Sequence, residues 1–392
     1  MNALEWRAVF ALGALYALRM IGMFMVLPVF ALYAADLPEP AQGWQIGLAI
    51  GVYGLTQAIL QVPMGMASDR FGRKPVIVTG MLIFAAGSWL AGSTQEIGWI
   101  IAGRALQGAG AVSSAVAALL ADVTRESVRT LAMAVLGAGM GLAFVLALVL
   151  GPVVSGVIGV DGIFLMTGVL ALLSLPVLLL GVPTPEIASG NVGGIRAVLA
   201  DGQLVRLDAG IFLLHATMTA LFVAAPLALV DTLGLPSTEH WKVYLPVLIL
   251  SLIPVFPLIR RAESRGIKPA FLGAIVVLAV ALLTAAELHG YAYGLLVALA
   301  LFFVGFNFLE GALPSLISRM APAAQKGAAL GVYSSAQFLG AFAGGSLGGL
   351  ALQHWGVGGA FAVAAAMPII WLGVAAKLRP PVAAHRELTS TD

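Results

Sequence analysis

Long apolar runs follow one another along this chain, separated by short polar or turn-rich breaks. Runs long enough to cross a bilayer as helices, about 20 residues each, are read near 6–34, 43–67, 76–94, 98–121, 130–154 and 162–182. Six more follow near 206–230, 241–260, 270–287, 291–318, 327–352 and 357–378. The breaks are turn-rich or charged, as in "DLPEPAQG", "SDRFGRKP", "DVTRESVR" and "RRAESRGIKP". The runs are too long and too uniform for the alternating ten-residue strands of a membrane barrel. The pattern therefore predicts an all-α polytopic membrane protein with twelve transmembrane helices. The longest polar break between spans, residues 183–205, divides them six and six. The expected organisation is an N-terminal six-helix bundle over 1–182, a linker over 183–205, a C-terminal bundle over 206–378 and a short tail over 379–392.

Composition narrows the solvent. The chain of 392 residues is 60% hydrophobic and only 10% charged, with a mean hydropathy of +1.02. A soluble domain of this size needs a polar skin that these residues cannot supply, so most of the surface is expected to face lipid. The basic residues set an orientation. With the N-terminus in the cytoplasm, 17 of the 20 Lys and Arg fall inside, Lys242 falls outside, and Arg19 and Arg104 lie within spans. That is the asymmetry of the positive-inside rule, and it places linker and tail in the cytoplasm. A formal net charge of only +2 gives no reason to expect nucleic acid as a partner. The expected partners are the bilayer, protons and a small-molecule substrate, with the chain a monomer in the cell's inner, or plasma, membrane.

Several chemistries are absent from the sequence. With no cysteine, disulfides and thiolate metal sites are excluded. No phosphate-binding loop, dinucleotide fingerprint or paired metal-ligand histidine spacing occurs. Neither a cofactor nor a metal is expected, and ATP is not the direct energy source. That leaves an ion gradient.

The two halves echo each other. "RALQGAGA" in the fourth span corresponds to "NFLEGALP" in the tenth, and "SDRFGRKP" after the second to "AESRGIKP" after the eighth. Internal repeats of this kind are a transporter signature. "GMASDRFGRK", residues 65–74, concentrates Asp69, Arg70, Arg73 and Lys74 between Gly65 and Gly72 and the following span. It resembles the loop signature of the major facilitator superfamily, at the place in the chain where that family carries it. "RALQG" from Arg104 resembles the family's fourth-helix motif. "GPVVSG", with Gly151, Pro152 and Gly156, resembles its antiporter motif in the fifth helix, although Ala138, Ala147 and Ser155 stand where that motif prefers glycine.

Longer stretches, among them "LRMIGMFMVLPVFALY" and "EHWKVYLPV", resemble the YajR-like branch of bacterial drug:proton antiporters. That branch carries a soluble domain after the twelfth helix, which the short tail here is not expected to form. The resemblance implies two pseudo-symmetric six-helix bundles and a conformational latch. In that latch Asp69 docks against the start of helix 11, and Arg73 pairs with Asp122 at the end of helix 4. The latch is read over Gly65, Asp69, Arg70, Gly72, Arg73, Lys74 and Asp122, with a plain topology signal as the alternative for Arg70 and Lys74.

Charges at membrane depth are costly and default to function. Arg19, Arg104 and Glu310 are read at such depth, with Gln57, Gln61, Gln107, Asn307 and His215 among their polar neighbours. Desolvation favours the neutral form of a carboxyl, so an acid there can carry a proton near neutral pH. Glu310 is read as the only acid deep inside a span and is the preferred proton carrier. His215 is the second candidate, because imidazole ordinarily titrates close to neutrality. Arg19 and Arg104 are expected either to stabilise ionised Glu310 or to hold a polar group of the substrate. The function expected is a proton-coupled antiporter exporting small amphipathic or drug-like molecules by alternating access. A metabolite or sugar facilitator or symporter of the same fold is the alternative. A receptor or intramembrane enzyme is a third class, disfavoured because no nucleophile–base pair is read at depth.

Overall fold

The computed structural model of the chain describes residues 1–184, 195–322 and 325–380. Most of the predicted linker core and of the tail therefore lie outside the described residues. The first four spanning helices are α1 (Ala3–Ala35), α2 (Gly43–Phe71), α3 (Arg73–Gly92) and α4 (Ile97–Asp122). The next two form one continuous rod, Glu126–Gly181, broken only at Gly159, where φ is 71°. They are α5 over 126–158 and α6 over 160–181. A short surface helix, Ile195–Ala200, precedes the second half. There follow α7 (Gly202–Leu233), α8 (Trp241–Arg265), α9 (Ile267–Leu288) and α10 (Ala292–Met320). A second rod, Lys326–Ala375, is broken at Gly356, where φ is 67°. It divides into α11 over 326–355 and α12 over 357–375.

Among the described residues twelve spanning helices form two six-helix bundles, as the pattern of apolar runs predicts. The breaks at Gly159 and Gly356 sit at matching places in the two halves. Each requires a left-handed backbone that residues with a Cβ rarely adopt. A second matching pair joins α2 to α3 and α8 to α9. Gly72 has φ 93° and ψ 150°, and Gly266 has φ 89° and ψ 148°. Two backbones this similar, built from the echoed sequences "SDRFGRKP" and "AESRGIKP", show the repeat in three dimensions.

Local chemistry fixes several ends. Asn2 caps α1 by accepting from the Glu5 amide at 2.8 Å, while Glu5 accepts from the Asn2 amide at 2.7 Å, a reciprocal capping box. Asp201 caps α7 through the Gln203 and Leu204 amides. Pro28 interrupts α1, and α4 opens for three residues at Gly110–Val112.

Glycines set the closest helix approaches. On α11, Gly340, Gly344 and Gly348 lie against Phe212, Ala216 and Ala220 of α7. The four-residue spacing keeps them on one face, and their missing side chains let the backbones touch. Both chain termini of the bundles lie on one side of the molecule, called here the terminal face.

Candidate functional site

The polar interior of the N-terminal bundle is built around two buried arginines. Arg19 on α1 is fully buried. Its Nη2 donates to the Tyr53 hydroxyl at 2.6 Å, to Gln57 Oε1 at 2.8 Å and to the Gly110 carbonyl at 3.3 Å. The break in α4 frees that carbonyl. The guanidinium also lies 5.1 Å from the Phe84 ring centre, a cation–π distance. Gln57 continues the network to Gln61 at 3.1 Å and to Ser113 at 3.2 Å. Arg104 on α4 donates to Gln107 at 2.9 Å and to the Ala49 carbonyl at 3.2 Å, and Gln107 in turn donates to Ser88 at 2.7 Å.

No carboxylate pairs with either arginine among the described residues. Of the two expected roles, stabilising ionised Glu310 or holding a polar group of the substrate, the structure shows no contact to Glu310. Arg104 meets neutral dipoles of its own bundle, and Arg19 does so through Nη2, with Nε and Nη1 unpartnered.

The C-terminal bundle has the opposite sign. Glu310 on α10 has a side chain 38% exposed. One of its oxygens is buried without a hydrogen-bond partner and lies 3.9 Å from His215 Nε2 on α7. The Gln337 amide nitrogen of α11 donates to that same His215 nitrogen at 2.8 Å, which leaves Nδ1 as the proton-bearing nitrogen of a neutral ring. Phe306, one turn before Glu310, packs on His215 with ring centres 6.1 Å apart. Asn307 turns elsewhere and donates to Ser251 of α8 at 2.9 Å.

A second acid belongs to this bundle. Asp208 on α7 is 6% exposed, and neither of its oxygens has a partner. Glu310 is therefore not the only buried acid of the spans. The sequence offered one signal that was passed over: an Asp inside an apolar run, two residues after Arg206.

The bundles touch on the side away from the terminal face. A Cβ at Gly47 of α2 would fall on the Gly345 carbonyl of α11, one at Gly51 would stand 2.9 Å from the Phe342 carbonyl, and Gly43 and Gly349 are as close. Aromatic pairs extend the seam inward. Tyr53 meets Phe338 with ring centres 6.2 Å apart, and Phe144 of α5 meets Phe306 of α10 at 5.8 Å. The antiporter-like segment lies at the closed end. Gly151 presses on the Met25 carbonyl of α1, Ser155 donates to the Pro152 carbonyl at 2.8 Å, and a Cβ at Gly156 would stand 3.0 Å from Thr238. Nearer the terminal face, no atom lies within 4 Å of where a Cβ would stand at Gly137 and Gly141 of α5 or at Gly327 and Gly331 of α11. The bundle contacts described here gather at the end away from the terminal face, with Phe144, Phe306, Tyr53 and Phe338 at their inner edge.

The charged loop lies on the terminal face. Arg73 bonds Asp69, one turn before it, and its Nε donates to Asp122 Oδ2 at 2.9 Å. Ser68 accepts a third bond from Arg73 at 2.8 Å. The predicted pair with Asp122 is present. Asp69 is turned to Arg73, however, and not to the start of α11, whose capping residue Gln325 carries no side-chain cap. Gly65 lets α2 approach Ser114 of α4, where a Cβ would stand 3.2 Å away. Arg70 stacks on Phe71. Lys74 donates to the Val182 carbonyl at 2.6 Å and so closes the end of α6. Arg125, just outside α5, pairs with Glu5 at 2.8 Å; that hydrogen-bonded carboxylate raises the pKa of the guanidinium above its ordinary value. No three His, Asp or Glu converge to hold a metal ion among the described residues.

The family profile described as Major Facilitator Superfamily matches residues 12–309 and again residues 207–392. The chain belongs to the Major Facilitator Superfamily. The double match, with its second copy on the C-terminal half, follows the repeat seen at Gly72 and Gly266. The chain is 44% identical over 384 residues to the inner membrane transport protein YajR of Escherichia coli K12, covering 96% of this chain and 84% of that protein. It is 28% identical over 347 residues to the multidrug resistance protein MdtH of Aeromonas hydrophila, covering 86% and 85%. Among solved structures it resembles a bacterial homologue of the human lysosomal transporter Spinster in an inward-facing, occupied conformation. That likeness has a TM-score of 0.77 at 15% identity and covers 96% of each chain, which speaks for the fold alone. Family and relatives make this superfamily member a multi-pass membrane transporter and not an enzyme.

Proposed function

We propose that this chain is a proton-coupled antiporter that exports small amphipathic molecules across a bacterial inner membrane by alternating access. The observation that carries the reading is Glu310. It is a carboxyl at mid-span, part exposed where the bundles part, with a neutral imidazole 3.9 Å away and no arginine beside it. Such a group gains or loses a proton according to the water that reaches it. The names of MdtH and YajR support transport of drug-like molecules at an inner membrane. The positive-inside bias supports a cytoplasmic terminal face, which makes the present conformation open to the cytoplasm. Asp69 is then free of α11 because the latch engages only when that side closes. Phe144, Phe306, Tyr53 and Phe338 form the floor on which an apolar substrate rests.

The test is uphill flux in proteoliposomes, with ethidium and norfloxacin as probes. An imposed pH gradient drives wild-type protein to concentrate at least one of them, and Glu310→Gln abolishes that while keeping downhill exchange. Wild-type flux indifferent to the pH gradient overturns proton coupling and leaves a facilitator. Cysteines introduced at Arg196 and Thr238 check orientation: the terminal-face position labels only from the cytoplasmic side.

A further inference from the structure

Asp208 is a buried acid of the C-terminal bundle that neither the latch nor the Glu310 site uses. It lies on α7 about 9 Å in from the helix start and about 10 Å from His215, at 1.5 Å per residue. The seven-residue spacing puts Asp208 and His215 on one face of the helix. Neither Asp208 oxygen accepts a hydrogen bond or meets a cation among the described residues. The cost of an ionised carboxylate so placed is several kcal/mol; the neutral acid avoids most of it.

The neighbours say what kind of site this is. α11 brings Tyr333, 6% exposed with its hydroxyl unpartnered. From α10 comes Glu310, and from α7 itself His215. From α12, Trp371 packs on Gly210 and brings no charge. On the short helix before α7, Arg196 is exposed and makes no ion pair. Asp208, Tyr333, His215 and Glu310 each bury at least one polar atom with no partner. That is unusual, because buried polar groups are satisfied in the great majority of cases. A sodium ion needs several oxygen ligands, and no cluster of three acidic or histidine side chains occurs here among the described residues.

We propose that Asp208 is a second proton-binding site, placed between the terminal face and Glu310 and exchanging protons with it along the Tyr333 and His215 side of the C-terminal bundle. The proton moves from one carboxyl to the other as a proton, one oxygen losing it and one gaining it, with no other bond changed. The proposal rests on the proton-coupled reading above and extends it from one carboxyl to two.

The test needs no substrate. Infrared difference spectra of the purified full chain in nanodiscs, titrated with pH in potassium buffer, report the carbonyl stretch of protonated carboxyls in water-poor surroundings. Wild type is expected to show two such bands. Asp208→Asn removes one and Glu310→Gln the other, and Asp208→Glu keeps both, which separates loss of the site from loss of the fold. Glu310→Gln also moves the pH midpoint of the remaining band downward by roughly one unit, since a nearby negative charge is gone. Unchanged bands in folded Asp208→Asn overturn the proposal, as does replacement of the Asp208 band on adding sodium in place of potassium. Two bands in a protein whose ethidium and norfloxacin fluxes ignore the pH gradient leave Asp208 a proton site and overturn only its use in export.

Discussion

The two bundles share a backbone plan and differ in what they bury. At mid-span the N-terminal bundle carries Arg19 and Arg104, both cations; Arg104 bonds to carbonyls and to Gln107, whereas Arg19 bonds through Nη2 alone and leaves Nε and Nη1 unpartnered. The C-terminal bundle carries buried Asp208 and part-exposed Glu310, both acids, and three of their four oxygens are buried and unmet. Guanidinium groups keep their proton throughout the physiological range, so the first bundle holds a fixed charge. Carboxyls out of water can be charged or neutral, so the second holds a variable one. On the proton-coupled reading proposed above, the first half stays fixed while the second titrates, and the coupling between proton and substrate is reciprocal.

The loops repeat the contrast on the surface. Gly72 and Gly266 turn the chain identically, yet the residue after the first is Arg73, bonded to two acids, and the residue after the second is Ile267. The N-terminal loop has an ion network; among the described residues the C-terminal loop shows no ion pair and is tied down by Lys268, which donates to the Ala376 carbonyl.

The sharpest break in the comparison comes from Arg19 and from His215, which lies within about one turn of the corresponding level of α7. Arg19→Ala removes the donor for Tyr53 and Gln57 and opens a cavity lined by Phe84. The expected loss is about 3 kcal/mol or more, read as a large fall in melting temperature in detergent. His215→Gln keeps a polar group beside Gln337 and is expected to lose about 1 kcal/mol, while its export of ethidium under a pH gradient falls steeply. Equal melting temperatures for the two variants would mean that the bundles do not divide the work as described.

How much of this was legible in the sequence depends on whether a residue's neighbours are close in the chain. The twelve spans, the echo of "SDRFGRKP" in "AESRGIKP" and the Arg73–Asp122 pair follow from runs, breaks and a resemblance carried by adjacent residues. The partners of Arg19 do not. In a helix apolar on every side, lipid-facing and protein-facing positions look alike, so nothing marked Tyr53 as its neighbour. The same blindness let Arg104 be offered to Glu310. Asp208 was missed for another reason: it follows Arg206 near a helix start, where charges are ordinary, and only its unmet oxygens set it apart.

A smaller effect is expected at the loops. Arg73→Ala leaves Asp69 and Asp122 facing each other without their shared cation, at 27% and 25% side-chain exposure. Between the small worth of an exposed pair and the larger one of a buried pair, about 1–3 kcal/mol is expected, with roughly tenfold slower transport at unchanged membrane insertion. Ile267→Ala, at the matching position, is expected to change transport less than twofold. Measuring both against expression level in the same vesicles sharpens the contrast, and a slow Ile267→Ala would show that the turn itself, not the ion network, sets the rate.

The smallest effect is expected where the halves agree. Lys74 donates to the Val182 carbonyl at 2.6 Å at the end of α6, and Lys268 to the Ala376 carbonyl at 2.8 Å just past α12. Each puts a cation on the orphan carbonyls of a helix C-terminus, where the helix dipole favours positive charge. Lys74→Met and Lys268→Met keep the apolar stem and delete only the ammonium. Each variant should lose about 1 kcal/mol, and the two losses should match to within about 0.5 kcal/mol, since sites this far apart act independently. The double variant should then lose their sum. A much larger loss for Lys74→Met would tie that lysine to the Arg73 network and extend the asymmetry of the loops to the one contact they hold in common.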